Sequence, residues 1–224
     1  MDAALERAGG VYYYPLWQCR PKNIEVPVNS ELDKNIDEAE KLISKLFAEH
    51  KTVSDKDLAG LDRLLLNIEA FSPAAVAGLR GAYFALKKDM KKATEWHEKA
   101  VVEAQAQPSA YMRYADSLSY LSDFRNSCML YVKAAEAAGV NTAEAREPLF
   151  RALAIAIIER YKDIVEQWLP VFTSIHGTDH MLLALRKKVE SGKNATACYS
   201  ASCASGVLDD WNHPDEDEAW QHLQ

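Results

Sequence analysis

The side chains most capable of chemistry lie in the carboxyl-terminal third of the chain. His176, Asp179 and His180 are spaced so that one helical turn could bring them to one metal ion. Gly177 interrupts the segment, however, and no cysteine stands near enough to complete a tetrahedral set. Cys198 and Cys203 are separated by four residues and do not form a C-x-x-C pair, so two free thiols are expected rather than a zinc site. Nucleophilic catalysis would need a Ser or Cys beside a positioned base, and no Gly-x-Ser-x-Gly elbow occurs. A glycine-rich phosphate loop is missing as well. Asp215 and Asp217 are a carboxylate pair by spacing alone: they lie in an acidic run, where solvation rather than a split acid and base is the expected state. The residues therefore point away from catalysis, and no metal or cofactor is expected.

Charge is distributed more informatively than its sum of −7 suggests. No Lys or Arg follows Lys193, whereas Asp209, Asp210, Asp215, Glu216, Asp217 and Glu218 do, so this segment carries −6 and the first 193 residues −1. Two tryptophans, Trp211 and Trp220, flank the densest acids, with Pro214 and Leu223 beside them. Solubilising tails rarely carry two large aromatics, so burial against a surface is the economical explanation. The opposite charge is concentrated at Lys87, Lys88, Lys91 and Lys92. With Asp89, Glu95 and Glu98 close by, this cluster reads as a solvated surface rather than a nucleic-acid patch, or as a place where the acidic segment could return.

The elements that carry these residues are helical. An apolar share of 48% against 26% charged residues is enough for a sizeable core, and no run approaches the roughly 20 apolar residues that span a bilayer. Residues 11–17 are too short, and too poor in preceding base, for a secretory signal, so a cytoplasmic protein is expected and the sequon at Asn194 is read as chance. Residues 1–29, with Pro15, Pro21 and Pro27 among Tyr12, Tyr13, Tyr14 and Trp17, read as an extended arm whose aromatics either cover the first helices or form an exposed partner site. Residues 30–72 form a helical hairpin. Its first helix shows Leu32, Ile36, Ala39, Ile43 and Leu46 on one stripe, and its second opens at Ser54 with Leu58, Leu61, Leu65 and Ile68.

From residue 73 a pattern runs twice with a period of 34. Phe84, Asp89, Lys99 and Ala100 are answered by Leu118, Asp123, Lys133 and Ala134. Each copy supplies two amphipathic helices, 73–88 with 90–107 and 108–121 with 123–138, whose narrow apolar faces need a neighbour. Gly81, Phe84, Ala93 and Ala100 resemble the small residue, aromatic and crossing alanines of the tetratricopeptide repeat, and Ala115, Leu118, Ser127, Tyr131 and Ala134 occupy the same places in the second copy. The family's first-helix tryptophan is absent, at Ala77 and Tyr111, and His97 replaces its second-helix aromatic.

A third, less regular unit begins at Thr142 and is expected to hold one long helix over 149–168, stopped by Pro170, with Phe150, Leu153, Ile157, Tyr161 and Val165 inward. A capping helix over 178–191 and a linker with acidic segment over 193–224 follow. The fold expected is all-α: a right-handed array of antiparallel hairpins, a tetratricopeptide-like α-solenoid over 73–192. The resemblance implies a concave groove lined by Ala82, Leu86, Met112, Asp116 and Tyr120, suited to a segment of a protein partner. Residues 208–223 also resemble the acidic, tryptophan-bearing tails of small bacterial antitoxins. That implies a second partner surface formed by Trp211, Pro214, Asp215, Glu216, Asp217, Glu218, Trp220 and Leu223, directed at a basic protein such as a toxin. Direct contact with nucleic acid or membrane is not expected, and self-association is left open.

Overall fold

The computed structural model describes residues 30–49 and 53–191. The expected amino-terminal arm and the linker with its acidic segment lie outside these residues. Within them the regular elements are helices: α1 (Ser30–Glu49), α2 (Asp55–Phe71), α3 (Pro73–Leu86), α4 (Met90–Glu103), α5 (Pro108–Tyr120), α6 (Phe124–Ala138), a 3-10 turn (Ala143–Ala145), α7 (Arg146–Ile158), α8 (Lys162–His176) and α9 (His180–Glu190). No helix among the described residues is long and apolar enough to cross a membrane.

Local chemistry explains most of the boundaries. Ser54 accepts from the Asp57 amide at 3.2 Å and starts α2. Ser72 closes α2 and opens α3 in one residue: its amide donates to the Ile68 carbonyl, and its hydroxyl accepts from Ala75. Asp89 accepts from the Lys92 amide, Asp123 from Asn126, and Asp179 from Met181 and Leu182, capping the first turns of α4, α6 and α9. Gly139 ends α6 at φ 87°, a conformation glycine adopts without the Cβ penalty.

One turn recurs at the tip of three hairpins. Lys88, Ser122 and Arg160 have φ of 59°, 64° and 60°. In each case the next amide reaches back across the turn: Asp89 to Phe84, Asp123 to Leu118 and Tyr161 to Ala156, at 3.0, 2.8 and 2.8 Å. This is the Schellman arrangement, which satisfies carbonyls a helix end leaves open. The first two tips are 34 residues apart, matching the sequence period. The third comes later because Gly139 and the 3-10 turn intervene.

That third turn corrects the expectation of one helix over 149–168. The apolar run is broken at 159–161 with no glycine or proline to announce it, and α8 then passes through Pro170 instead of stopping there. Pro170 is exposed, so the hydrogen bond it cannot make is lost at the solvent side of the helix. Helix α4 is also shorter than expected, because Gln105 and Ala106 leave the helical region at φ 50° and 57°.

Each helix from α1 to α7 packs on the one that follows it, α9 packs on α7, and the odd-numbered helices α1 with α3 and α3 with α5 also touch one another. The ammonium of Lys88 lies 3.5 Å from the Tyr120 carbonyl, placing the carboxyl ends of α3 and α5 together. Arg146 meets Asp179 at 2.8 Å, placing the amino ends of α7 and α9 together. The core falls into two apolar clusters that meet on α5. Tyr120 belongs with Ile43, Phe47, Leu65 and Leu79, and Ala115 with Tyr131, Leu149, Leu153 and Phe172.

Candidate functional site

Helix α5 is where the polar chemistry of the interior collects. Asp116, Ser117 and Ser119 are all buried in its second half, and a buried polar group left without a partner costs roughly 1–3 kcal/mol. Each is partnered. Ser127 donates to the Ala115 carbonyl at 2.9 Å, which uses its only proton, so the Ser119 hydroxyl is the donor across 2.5 Å to Ser127. Ser117 lies 2.8 Å from Nε2 of His97 on α4.

His97 is wholly buried, stacked on Tyr114 at 5.0 Å and laid against the backbone of Gly81. A Cβ at position 81 would come within 2.6 Å of three ring atoms, so the missing side chain is what admits the imidazole. Burial, with a smaller contribution from the Arg113 charge, lowers the His97 pKa to about 3, which keeps the ring neutral. In the second hairpin Ala115 and Tyr131 occupy the places of Gly81 and His97, and Tyr131 is equally buried.

Asp116 accepts from the Tyr131 hydroxyl and from Nη1 of Arg151 at 3.0 Å, and Arg151 extends to Glu147 at 2.7 Å. Burial raises the Asp116 carboxyl above the usual carboxylate range, against the pull of Arg151 and Tyr131. This network ties α5 to α6 and α7. On the other side Arg113 pairs with Glu40 at 2.5 Å, and Tyr120 stacks on Phe47 at 4.7 Å, so α5 also reaches α1. Helix α3 lies between them with small side chains at Ala82 and Ala85, and the small size of this face lets α1 and α5 close over it.

The residues expected to line a groove are therefore placed as follows. Ala82, Leu86 and Tyr120 share one buried cluster with Ile43 and Phe47, Asp116 is in the interior network, and only Met112 is half-exposed, beside the second cluster. Four of the five fill the interior, because α1 and the side chain of Arg113 cover the trough over α3. The sequence showed the helix faces and not this closure, which depends on Glu40, Phe47 and Arg113, residues from distant parts of the chain. The tail residues Trp211, Pro214, Asp215, Glu216, Asp217, Glu218, Trp220 and Leu223 lie outside the described residues, as do Cys198 and Cys203.

The segment weighed for metal binding has other roles. Asp179 caps α9, accepting from Met181 and Leu182, and pairs with Arg146, while His176 packs at a tilt on Phe172 at 5.3 Å. Cys128 donates to the Ala152 carbonyl at 3.4 Å and burial pushes its thiol up to about 12, so it is a packing residue and not a nucleophile. Among the described residues no three metal-ligating side chains converge. No family model matches the chain, and neither curated proteins nor solved structures show a match to it.

Proposed function

We propose that the chain is a non-enzymatic adaptor built as a tetratricopeptide-like, right-handed array of hairpins, which receives a segment of a protein partner along its odd-numbered helices. The observation that carries this reading is the recurrence of one hairpin tip at Lys88, Ser122 and Arg160, each followed by the helix that packs back on the last. A repeated unit of this kind places successive helices side by side at a regular spacing, and their exposed side chains then form one preformed surface. A partner that folds onto such a surface bears most of the ordering entropy, because the scaffold is already fixed. With the trough over α3 filled by α1, the surface left for a partner runs from α5 toward α7 and α9, beginning at Met112.

A second reading assigns partner capture to residues 208–223, and the six acids with Trp211 and Trp220 favour it. The two separate in affinity capture with the whole protein, a variant lacking 205–224, and Met112→Glu checked for native helicity. The adaptor reading expects capture to survive or strengthen without the tail and to fall with Met112→Glu. Loss on tail deletion with no effect of Met112→Glu would replace it by the second.

A further inference from the structure

The hairpin tip between α3 and α4 is unlike the other two. Lys87, Lys88, Lys91 and Lys92 all stand on it, and among the described residues no carboxylate pairs with the first three. Ring faces hold two of them instead: the Lys87 ammonium lies 5.4 Å from the centre of Tyr83 and that of Lys88 3.6 Å from Tyr120. Lys92 lies 5.3 Å from Phe84 as well as near Asp89. Partial burial lowers the Lys88 pKa, which marks a cation with part of its water removed. The surface thus presents clustered positive charge over aromatic ring faces, the complement of acids interleaved with tryptophan.

Topology supplies the occupant. The odd helices run the same way: α3 and α5 share their carboxyl ends at Lys88 and Tyr120, α7 and α9 their amino ends at Arg146 and Asp179, and α6, joined to α5 and α7 by short connections and packed on both, reverses the chain between them. Helix α9 therefore ends at Ser191 on the edge that carries Lys88, Ser122 and Arg160. From α9 to α3 along the odd helices is three steps: α9 to α7 and α5 to α3 are packed pairs about 8–10 Å apart, and α7 to α5 is bridged by the Arg151–Asp116 ion pair, so the whole path is on the order of 30–40 Å. Residues 192–207 can reach about 55 Å when extended. The segment beyond them carries −6 with no cation.

We propose that residues 208–223 dock on the Lys87–Lys92 edge of their own chain, the acids on the lysines and the tryptophans beside the half-buried rings of Tyr83 and Phe84. This does not depend on the adaptor reading: the docked segment lies on the hairpin tips, away from Met112. The test is zero-length carbodiimide coupling of the full-length protein, mixed from unlabelled and 15N-labelled chains, with the linked peptides read by mass spectrometry. The expected result is amide links from Lys87, Lys88 or Lys91 to Asp215, Glu216, Asp217 or Glu218, within chains of one isotope, and at least about fivefold fewer at 0.5 M than at 0.05 M salt because the contact is electrostatic. Links joining labelled to unlabelled chains would move the contact to a second copy and overturn it. So would links spread equally over Lys34, Lys56 and Lys133, or no links at all.

Discussion

At the scale of single residues, the pair Gly81 and His97 is the tightest glycine contact among the described residues. A wholly buried imidazole is held by one hydroxyl, one stacked ring and a backbone without a Cβ. Gly81→Ala is expected to cost about 1–3 kcal/mol, the usual range for overpacking a fixed site. The cost should shrink in a His97→Ala background, because the atoms it strikes are gone; urea unfolding of the four variants measures that coupling. The same burial sets a pH dependence. His97 titrates near 3 in the folded chain and near 6.5 unfolded, so between these values the unfolded state binds the extra proton. Its stabilising contribution is complete above about pH 6.5 and is lost as pH falls toward 3, by at most about 5 kcal/mol. Asp116, with its carboxyl raised, acts in the opposite sense, so the acid limb of wild type must be compared with that of His97→Phe; equal limbs would refute the assignment.

At the scale of elements, the hairpin tips hold strain that the sequence could relieve. Ser122 occupies the left-handed region, is exposed, and carries a Cβ that this conformation penalises. Ser122→Gly should therefore raise stability by about 0.5–1 kcal/mol, seen as a higher melting temperature, whereas the same change in the middle of α6 would lower it. These tips also explain what could be read in advance. The helices over 73–138 were legible because Pro73, Asp89, Pro108 and Asp123 mark their starts and the apolar period marks their faces. The break at Arg160 was not, since a lysine, a serine or an arginine in the left-handed region leaves no compositional trace and the continuous apolar run over α7 concealed it. The burial of Ala82, Leu86, Asp116 and Tyr120 was not legible for a related reason. Ala82 and Ala85 are small whether they border a groove or floor a closed one, and only the long-range contacts from Glu40 and Phe47 decide between these.

At the scale of the whole molecule, α5 is a seam. The apolar cluster built from α1 to α4 takes in Tyr120, the cluster built from α6 to α9 takes in Ala115, and the polar contacts of α5 divide between both sides. Tyr120 carries much of the first connection through its stack on Phe47 and the Lys88 ammonium over its ring. Arg151 carries the second, because removing it would strand the buried Asp116 carboxyl, a loss of about 3–5 kcal/mol. Each cluster should therefore respond to its own tether. Tyr120→Ala is expected to cost about 3–4 kcal/mol and to speed amide exchange in α1 to α4 while leaving the slowest amides of α7 near their wild-type rates. Arg151→Met should reverse the pattern, opening α7 to α9 first. If either variant accelerated every helix to the same extent, the molecule would unfold as one unit and the division at α5 would have no energetic meaning. If the two patterns separate as expected, the cluster of α1 to α4 can loosen while the surface beside Met112 stays intact, and the adaptor reading then predicts that capture of a partner, measured as above, persists in Tyr120→Ala.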